Sequence, residues 1–369
     1  MEIKEKFNLD QVTTFRIGGP ADFYCVVQTL EELKEALKFA RGKDLAVFIL
    51  AGGSNLLFAD AGFRGMVINI AIKGIEILHD DDNRVEIRVG SGEVWDDIAA
   101  LCALKELWGI ENLSGIPGRS GAIPIQNVGA YGQEASRVVS SVEVLDLEEL
   151  EIQIFNNDQC GFEYRQSNFN TIWKNKYAIL SVTFTLARQP KPNLSYIDLS
   201  NYFAGANNPS PGLPEIRQAV IAIRSKKFPD LNEFGCAGSC FKNLILTPQN
   251  YLRLEQTLGR NFSPEIVSRL QELKLRFAEE KRIKIPAAFL VDICGLKGQS
   301  IGAARLWKNQ ALVIVNTGSA KARDVAGLFK LVRQEVFAKT GMRLVSEPEW
   351  VGFSEQELAK YFEIPNDKS

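Results

Sequence analysis

The chain has 369 residues, a length that as a prior holds roughly two or three domains and buries a core without covalent staples. Hydrophobic residues make up 46% and charged residues 24%, the balance of an ordinary globular protein rather than a disordered or disulfide-framework chain. A net charge of −2 provides no basic field for nucleic acid or an anionic membrane, and no apolar run approaches the ~20 residues of a membrane span. The opening MEIKEKFNLD is charged and lacks the apolar centre of a signal peptide, so a cytoplasmic protein is expected.

In chain order, Thr29 and Glu32 have capping-box spacing, which predicts a helix through LEELKEALKFA. LAVFIL (45–50) reads as a buried strand running into the small-residue turn of AGGSNLLF. RVEIRVG (84–90) alternates as a strand, and VWDDIAALCALKEL (94–107) reads as a helix. GIPGRSGAIPIQNVGAYG (115–132) is a glycine-rich loop with few charges. VEVLDLEELEIQIF (142–155) reads as a hairpin and YAILSVTFTL (177–186) as a strand. QPKPNLSYIDLSNYFAG (189–205) reads as a proline-rich loop with two tyrosines, and PEIRQAVIAIRSKK (214–227) as a helix that FPD ends. A third segment offers a helix over 263–280, a strand QALVIVN (310–316) and a helix over 322–340 that stops at Gly341. Boundaries are expected near 70–75 and near 228, and the class is α/β or α+β.

Six cysteines, at 25, 102, 160, 236, 240 and 294, form no C-x-x-C pair. The single histidine, His79, falls in the polar stretch LHDDDN and reads as a solvated loop residue. One remote histidine and a C-x3-C pair lack both the spacing and the ligand number of a zinc site, so no metal is expected. A Ser-His-Asp triad is equally hard to build here.

Neither G-x-G-x-x-G after a strand nor a Walker A lysine motif is present. The AGGSN turn (51–55) could still hold an anion on consecutive backbone N–H groups, or could be an ordinary tight turn. In the 115–132 loop, glycines permit close approach to a flat ligand, and Gln126 and Asn127 bring amides into an apolar setting. A self-satisfied structural loop is the competing reading.

Eight segments then occur in one order: TTFRIGGPADF (13–23), LAGGSNLLF (50–58), LSGIPGRSGAIPIQNVGAYGQE (113–134), YRQSNF (164–169), GCAGSCFKN (235–243), FLVDICGLKGQSIGAA (289–304), QALVIVN (310–316) and SEPE (346–349). Together they resemble the UDP-N-acetylenolpyruvoylglucosamine reductase (MurB) family, flavoenzymes of peptidoglycan precursor synthesis. The resemblance runs from about residue 10 to about 350.

It implies an α+β protein: two FAD-binding subdomains of the vanillyl-alcohol-oxidase (PCMH) type, 1–72 and 73–227, and a substrate domain, 228–352, with a tail at 353–369. By match, Gly53, Ser54 and Asn55 would hold the FAD pyrophosphate, and Gly115, Gln126, Asn127 and Gly129 would line the flavin with Arg224 nearby. NADPH would be co-substrate, and UDP-N-acetylglucosamine enolpyruvate the substrate. Hydride would reach the enolpyruvyl methylene carbon by way of the flavin. Arg165 would fork to the substrate carboxylate and offset enolate charge. Ser239 would protonate the adjacent carbon, and Glu349, if burial raised its pKa, would donate to the enolate oxygen. Tyr196, Lys227, Asn243, Lys297 and Gln310 would bind the UDP-sugar, with Tyr196 on a mobile loop (189–205) of one family subtype. A monomer or weak dimer is expected.

Four positions depart from the family pattern. Leu244 replaces a proline and is expected to loosen the turn after Asn243. Trp307 stands where a histidine is common, an arginine after the EPE motif is missing, and Thr13 replaces asparagine. Rival readings are a flavin oxidase of the same fold, and a non-catalytic flavin or sugar-nucleotide binder.

Overall fold

A computed structural model describes residues 1–205, 210–279 and 282–362. Part of the expected tail, 363–369, and Glu280 at the end of the expected 263–280 helix lie outside the described residues. The chain forms two compact units: residues 1–7, 20–53 and 63–226, and residues 8–19, 54–62 and 227–369. The stretch expected as one block, 1–72, therefore gives two short segments to the second unit.

The first unit holds two sheets. One has the order Ile3–Asn8, Pro20–Val27, Phe63–Ile70, Val47–Leu50, with the last two strands parallel to each other and Pro20–Val27 parallel to Phe63–Ile70. Helix Leu30–Gly42 covers it, burying Leu33, Ala36, Leu37 and Ala40 beside Met66, Ile68 and Ile70. The Thr29 hydroxyl caps it by accepting from Glu32 N at 3.2 Å, and the Glu32 carboxylate reaches back to accept from Gln28 N at 2.7 Å. The other sheet is an antiparallel five-stranded array in the order Ile152–Asn156, Val139–Asp146, Tyr177–Ala187, Arg84–Gly90, Ile75–Asp80. Trp95, at the start of helix Trp95–Leu104, packs on Phe184 beneath it. That helix stops three residues before the expected end, and Glu106 turns left-handed at φ 55°. His79 lies on the exposed edge strand Ile75–Asp80, not in a loop, with Nε2 2.7 Å from Asp81.

Residues 189–205 are not all loop. Ile197–Gly205 is a helix that buries Leu199 and Phe203 beside Ile216, Val220 and Ile223 of helix Leu213–Lys227.

The second unit is built on an antiparallel sheet in the order Gly235–Ser239, Val313–Asn316, Ala304–Leu306, Ser300–Ile301. Helices Pro248–Asn261 and Ala322–Thr340 share its main core. The short segment 13–17 is stitched to the first strand: Cys236 N donates to Thr14 O at 3.0 Å and Thr14 Oγ1 to Cys236 O at 2.7 Å. Gly235 is required there, since a Cβ would fall 2.3 Å from Phe15 O. Leu56–Phe58 pairs in parallel with Glu349–Val351, which joins the two ends of the chain.

Candidate active site

In the first unit, the glycine loop 115–132 is fastened at both ends. Gly115 N donates to Asp96 Oδ1 at 2.5 Å and Gly115 O accepts from Arg224 Nε at 3.0 Å. Gly115 is left-handed, at φ 69°. Further on, the YRQSNF turn and Glu163 just before it are bonded to the loop three times. Ser167 Oγ donates to Ile125 O (2.7 Å), Asn127 Nδ2 to Glu163 O (3.0 Å) and Arg165 Nη2 to Gly129 O (2.6 Å). Arg165 is half-buried, with φ 54°, so its guanidinium is aimed by a left-handed bend and anchored at one corner.

Asn127 is almost wholly buried, and its amide also meets Glu134 and Ser136 N. It organises the loop, and the contact with a ligand edge expected of it competes with these bonds. Gln126 is half-buried beside it. Tyr131, which sequence reasoning did not single out, is buried with its ring 5.3 Å from that of Tyr196 in a T-shaped pair. Burial pushes its hydroxyl up to about 12, against the pull of Arg224.

In the second unit, three of the expected segments meet. Glu347 N donates to Cys240 O (2.9 Å) and Lys242 N to Val345 O (2.9 Å), so SEPE lies along the AGSCFKN segment. Asn55 Nδ2 donates to Glu347 O (3.2 Å), and Glu349 N to Asn55 O (3.0 Å). Asn55, the Ser239 segment and Glu349 are thereby gathered in one place.

Ser239 gets its direction from a bulge. Cys236 pairs with Val315 and Ser239 with Val313, so this strand spends one residue more than its partner, and Gly238 takes φ 71°. Such a bulge re-aims the side chain that follows it. Cys236 packs with Val313 and Val315, whereas Cys240 joins the separate core around Phe241; neither is held in a disulfide. Within GCAGSCFKN, the bulge therefore sets the direction in which Ser239 leaves the strand.

Asn243 Oδ1 accepts from Ala287 N at 3.0 Å, at the start of helix Ala287–Ile293. Lys297 Nζ sits 2.6 Å from Asp292 Oδ1, so a diphosphate there competes with that carboxylate. Gln310 is half-buried, and its carbonyl accepts from Val313 N at 3.1 Å. Lys227 closes helix Leu213–Lys227.

A family model described as the FAD binding domain matches residues 21–152, and one described as the C-terminal domain of UDP-N-acetylenolpyruvoylglucosamine reductase matches residues 230–351. Curated relatives include a UDP-N-acetylenolpyruvoylglucosamine reductase of Flavobacterium johnsoniae, 37% identical over 94% of this chain and 99% of its own length. One of Amoebophilus asiaticus is 37% identical over 95% and 98%. The chain belongs to the UDP-N-acetylenolpyruvoylglucosamine reductase family. The crystal structure of the enzyme (MurB) from Thermus caldophilus has the same fold, with a TM-score of 0.63 at 24% identity over 95% of this chain and 98% of that one.

FAD, the cofactor of a reductase in this family, fits what the first unit presents. A Cβ on Gly52 would lie 2.6 Å from Gly118 Cα, so the AGG turn and the glycine loop meet backbone to backbone. Such a cradle offers N–H groups rather than side chains to a phosphate-bearing ligand. Beside it, Ser91 Oγ is buried with no hydrogen-bond partner among the described residues, an orphan that a bound polar group would satisfy. Gly121 packs on Ser91, where a Cβ would come within 2.6 Å of Ser91 Cβ.

The departures from the reductase pattern have local causes. Leu244 does not loosen the turn after Asn243. It opens strand Leu244–Leu246, pairs with Ile285 and is 9% exposed. The Thr13 hydroxyl bonds Ile17 O and Ile17 N, closing its own turn. Trp307 packs on Phe234 at 5.4 Å. Trp350, next to Glu349, donates from Nε1 to Ser346 Oγ at 3.0 Å and is ringed by Phe353 and Phe362. No described helix is long and apolar enough to cross a membrane.

Proposed function

We propose that this chain reduces UDP-N-acetylglucosamine enolpyruvate to UDP-N-acetylmuramate with NADPH and FAD. The observation that carries the reading is identity of 37% to named reductases across nearly the whole length of both chains.

Bound FAD supplies hydride transfer between NADPH and the enolpyruvyl methylene carbon. The protein's own residues manage charge and one proton. Arg165, aimed by its left-handed bend and held by Gly129 O, forks to the substrate carboxylate and offsets the enolate charge. Ser239, turned by the Gly238 bulge, gives the hydroxyl proton to the carbon next to the carboxylate. A hydroxyl is a weak acid toward water, but a carbanion-like carbon is a strong base, so position compensates for acidity. Glu349, its backbone N–H tied to Asn55 O, stands on the other side of the reacting carbon.

Gly53, Ser54 and Asn55 hold the pyrophosphate, and Gly115, Gln126 and Gly129 shape the flavin loop. Lys227 and Lys297 take the substrate diphosphate, with Tyr196, Asn243 and Gln310 on the sugar and base. In the proposed division of labour, residues 1–72 and 73–227 hold the cofactor and 228–352 hold the sugar nucleotide.

The test is anaerobic. NADPH is added to the purified protein, then the enolpyruvyl sugar nucleotide, while the flavin band is followed. Bleaching by the first and full return of colour with the second is the expected result. Bleaching without return would mean a flavoprotein with another acceptor.

A further inference from the structure

Asp96 stands in the first turn of helix Trp95–Leu104, outside every motif that carries the family resemblance. Its carboxylate does more than pair with another helix. Oδ1 accepts from Arg217 Nη1 at 2.6 Å and Oδ2 from Arg217 Nη2 at 2.8 Å, a bidentate fork. The same Oδ1 also accepts from Gly115 N at 2.5 Å. On the other side of that residue, Gly115 O accepts from Arg224 Nε. Arg217 and Arg224 lie two turns apart on helix Leu213–Lys227, so one helix supplies both cations.

Gly115 is thus gripped through both its N–H and its C=O. One residue earlier in the helix pair, Trp95 Nε1 donates to Leu113 O at 2.9 Å, which fixes the approach to the bend. The left-handed φ of 69° needs glycine, and a Cβ would meet Arg224 Cδ and Nε at 3.3 Å. Burial pushes the Asp96 carboxyl up, but the Arg217 fork, the Gly115 N–H and nearby Arg224 outweigh it and hold it below the usual carboxylate range.

We infer that Asp96 is a positioning residue for FAD: with Arg217 it fixes the Gly115 peptide and thereby presets the glycine loop that receives the cofactor. The inference rests on the FAD-dependent function proposed above. Because the single N–H of Gly115 is spent on Asp96, Gly115 offers the cofactor a shaped backbone rather than a donated hydrogen bond. A loop held in its binding shape gives up less freedom when the ligand arrives, and the gain shows as affinity.

The experiment compares the full-length protein with Asp96→Asn, Asp96→Ala and Arg217→Met. Flavin is removed, each apoprotein is titrated with FAD by fluorescence, and hydrogen exchange of the 113–116 amides is recorded without FAD. Asp96→Ala is expected to weaken FAD binding at least ten-fold and to speed exchange at Gly115. Asp96→Asn, which keeps an acceptor for Gly115 N, should fall between it and the unaltered protein. Arg217→Met should also weaken binding, by leaving the carboxylate without its fork. Unchanged FAD affinity in the folded Asn and Met variants would overturn the inference, even if their melting temperatures fell, because the pair would then be a purely structural tie. An unaltered protein that takes up no FAD would overturn the cofactor reading and this inference together.

Discussion

At the scale of single residues, motifs name the candidate groups, and only the structure names their partners. Arg165, Ser239 and Glu349 stand out by motif, yet what aims them is remote: Gly129 O for Arg165 and Asn55 O for the Glu349 backbone. Asn127 shows the limit most clearly. Its amide was expected against a ligand, but its partners at Glu134, Ser136 and Glu163 lie up to 36 residues away, and no local pattern reveals them. If Ser239 delivers the proton, Ser239→Ala should keep flavin reduction by NADPH and slow reoxidation by the sugar nucleotide by about 10²–10⁴-fold, seen in stopped flow. Equal slowing of both half-reactions would remove it from that role. Gly52→Ala should destabilise by about 1–3 kcal/mol, since its Cβ would fall 2.6 Å from Gly118 Cα and backbone must move. A denaturant midpoint unchanged from the parent protein would contradict this packing.

Among the elements, those with a clean period were readable: helix Leu30–Gly42, strand Arg84–Gly90 and the hairpin formed by Val139–Asp146 and Ile152–Asn156 all lie within a few residues of expectation. The helix Ile197–Gly205 was hidden by Pro190 and Pro192 just before it. Its signal was nonetheless present, with Asp198 in the first turn and Leu199 and Phe203 four residues apart on the buried face. Strands with no alternation, such as Phe63–Ile70, buried over most of its length, carry no period to read. Gly341 was read as a helix stop, and it is one. It sits at φ 71° and its N–H bonds Phe337 O at 2.8 Å. Gly341→Ala should cost about 1 kcal/mol, read as a lower urea midpoint at constant slope. A midpoint equal to or above that of the parent would show that the left-handed cap is not needed.

For the whole molecule, the six thiols make a common prediction. All are buried and outside any disulfide, in both units. Burial pushes Cys25, Cys102 and Cys160 up to about 12, and Cys294 to about 11, from an ordinary value of 9.0. The folded chain therefore keeps these protons where the unfolded chain has lost them. Their contribution to stability is complete below pH 9 and declines as pH rises toward 11–12. The melting temperature should fall progressively above pH 9, and an aromatic disulfide reagent at pH 8 should label the native protein slowly and all six thiols in denaturant. Rapid native labelling of any one would show an access path that its burial denies.

The parallel pairing of Leu56–Phe58 with Glu349–Val351 also sets a timetable. A ribosome emits residue 349 almost three hundred residues after residue 56, so this pair cannot close until most of the chain has been made. A flavin pocket can assemble earlier, from residues already made. Chains that stop short of residue 349 would leave strand Leu56–Phe58 without this partner, so completing the second unit waits on a segment made late.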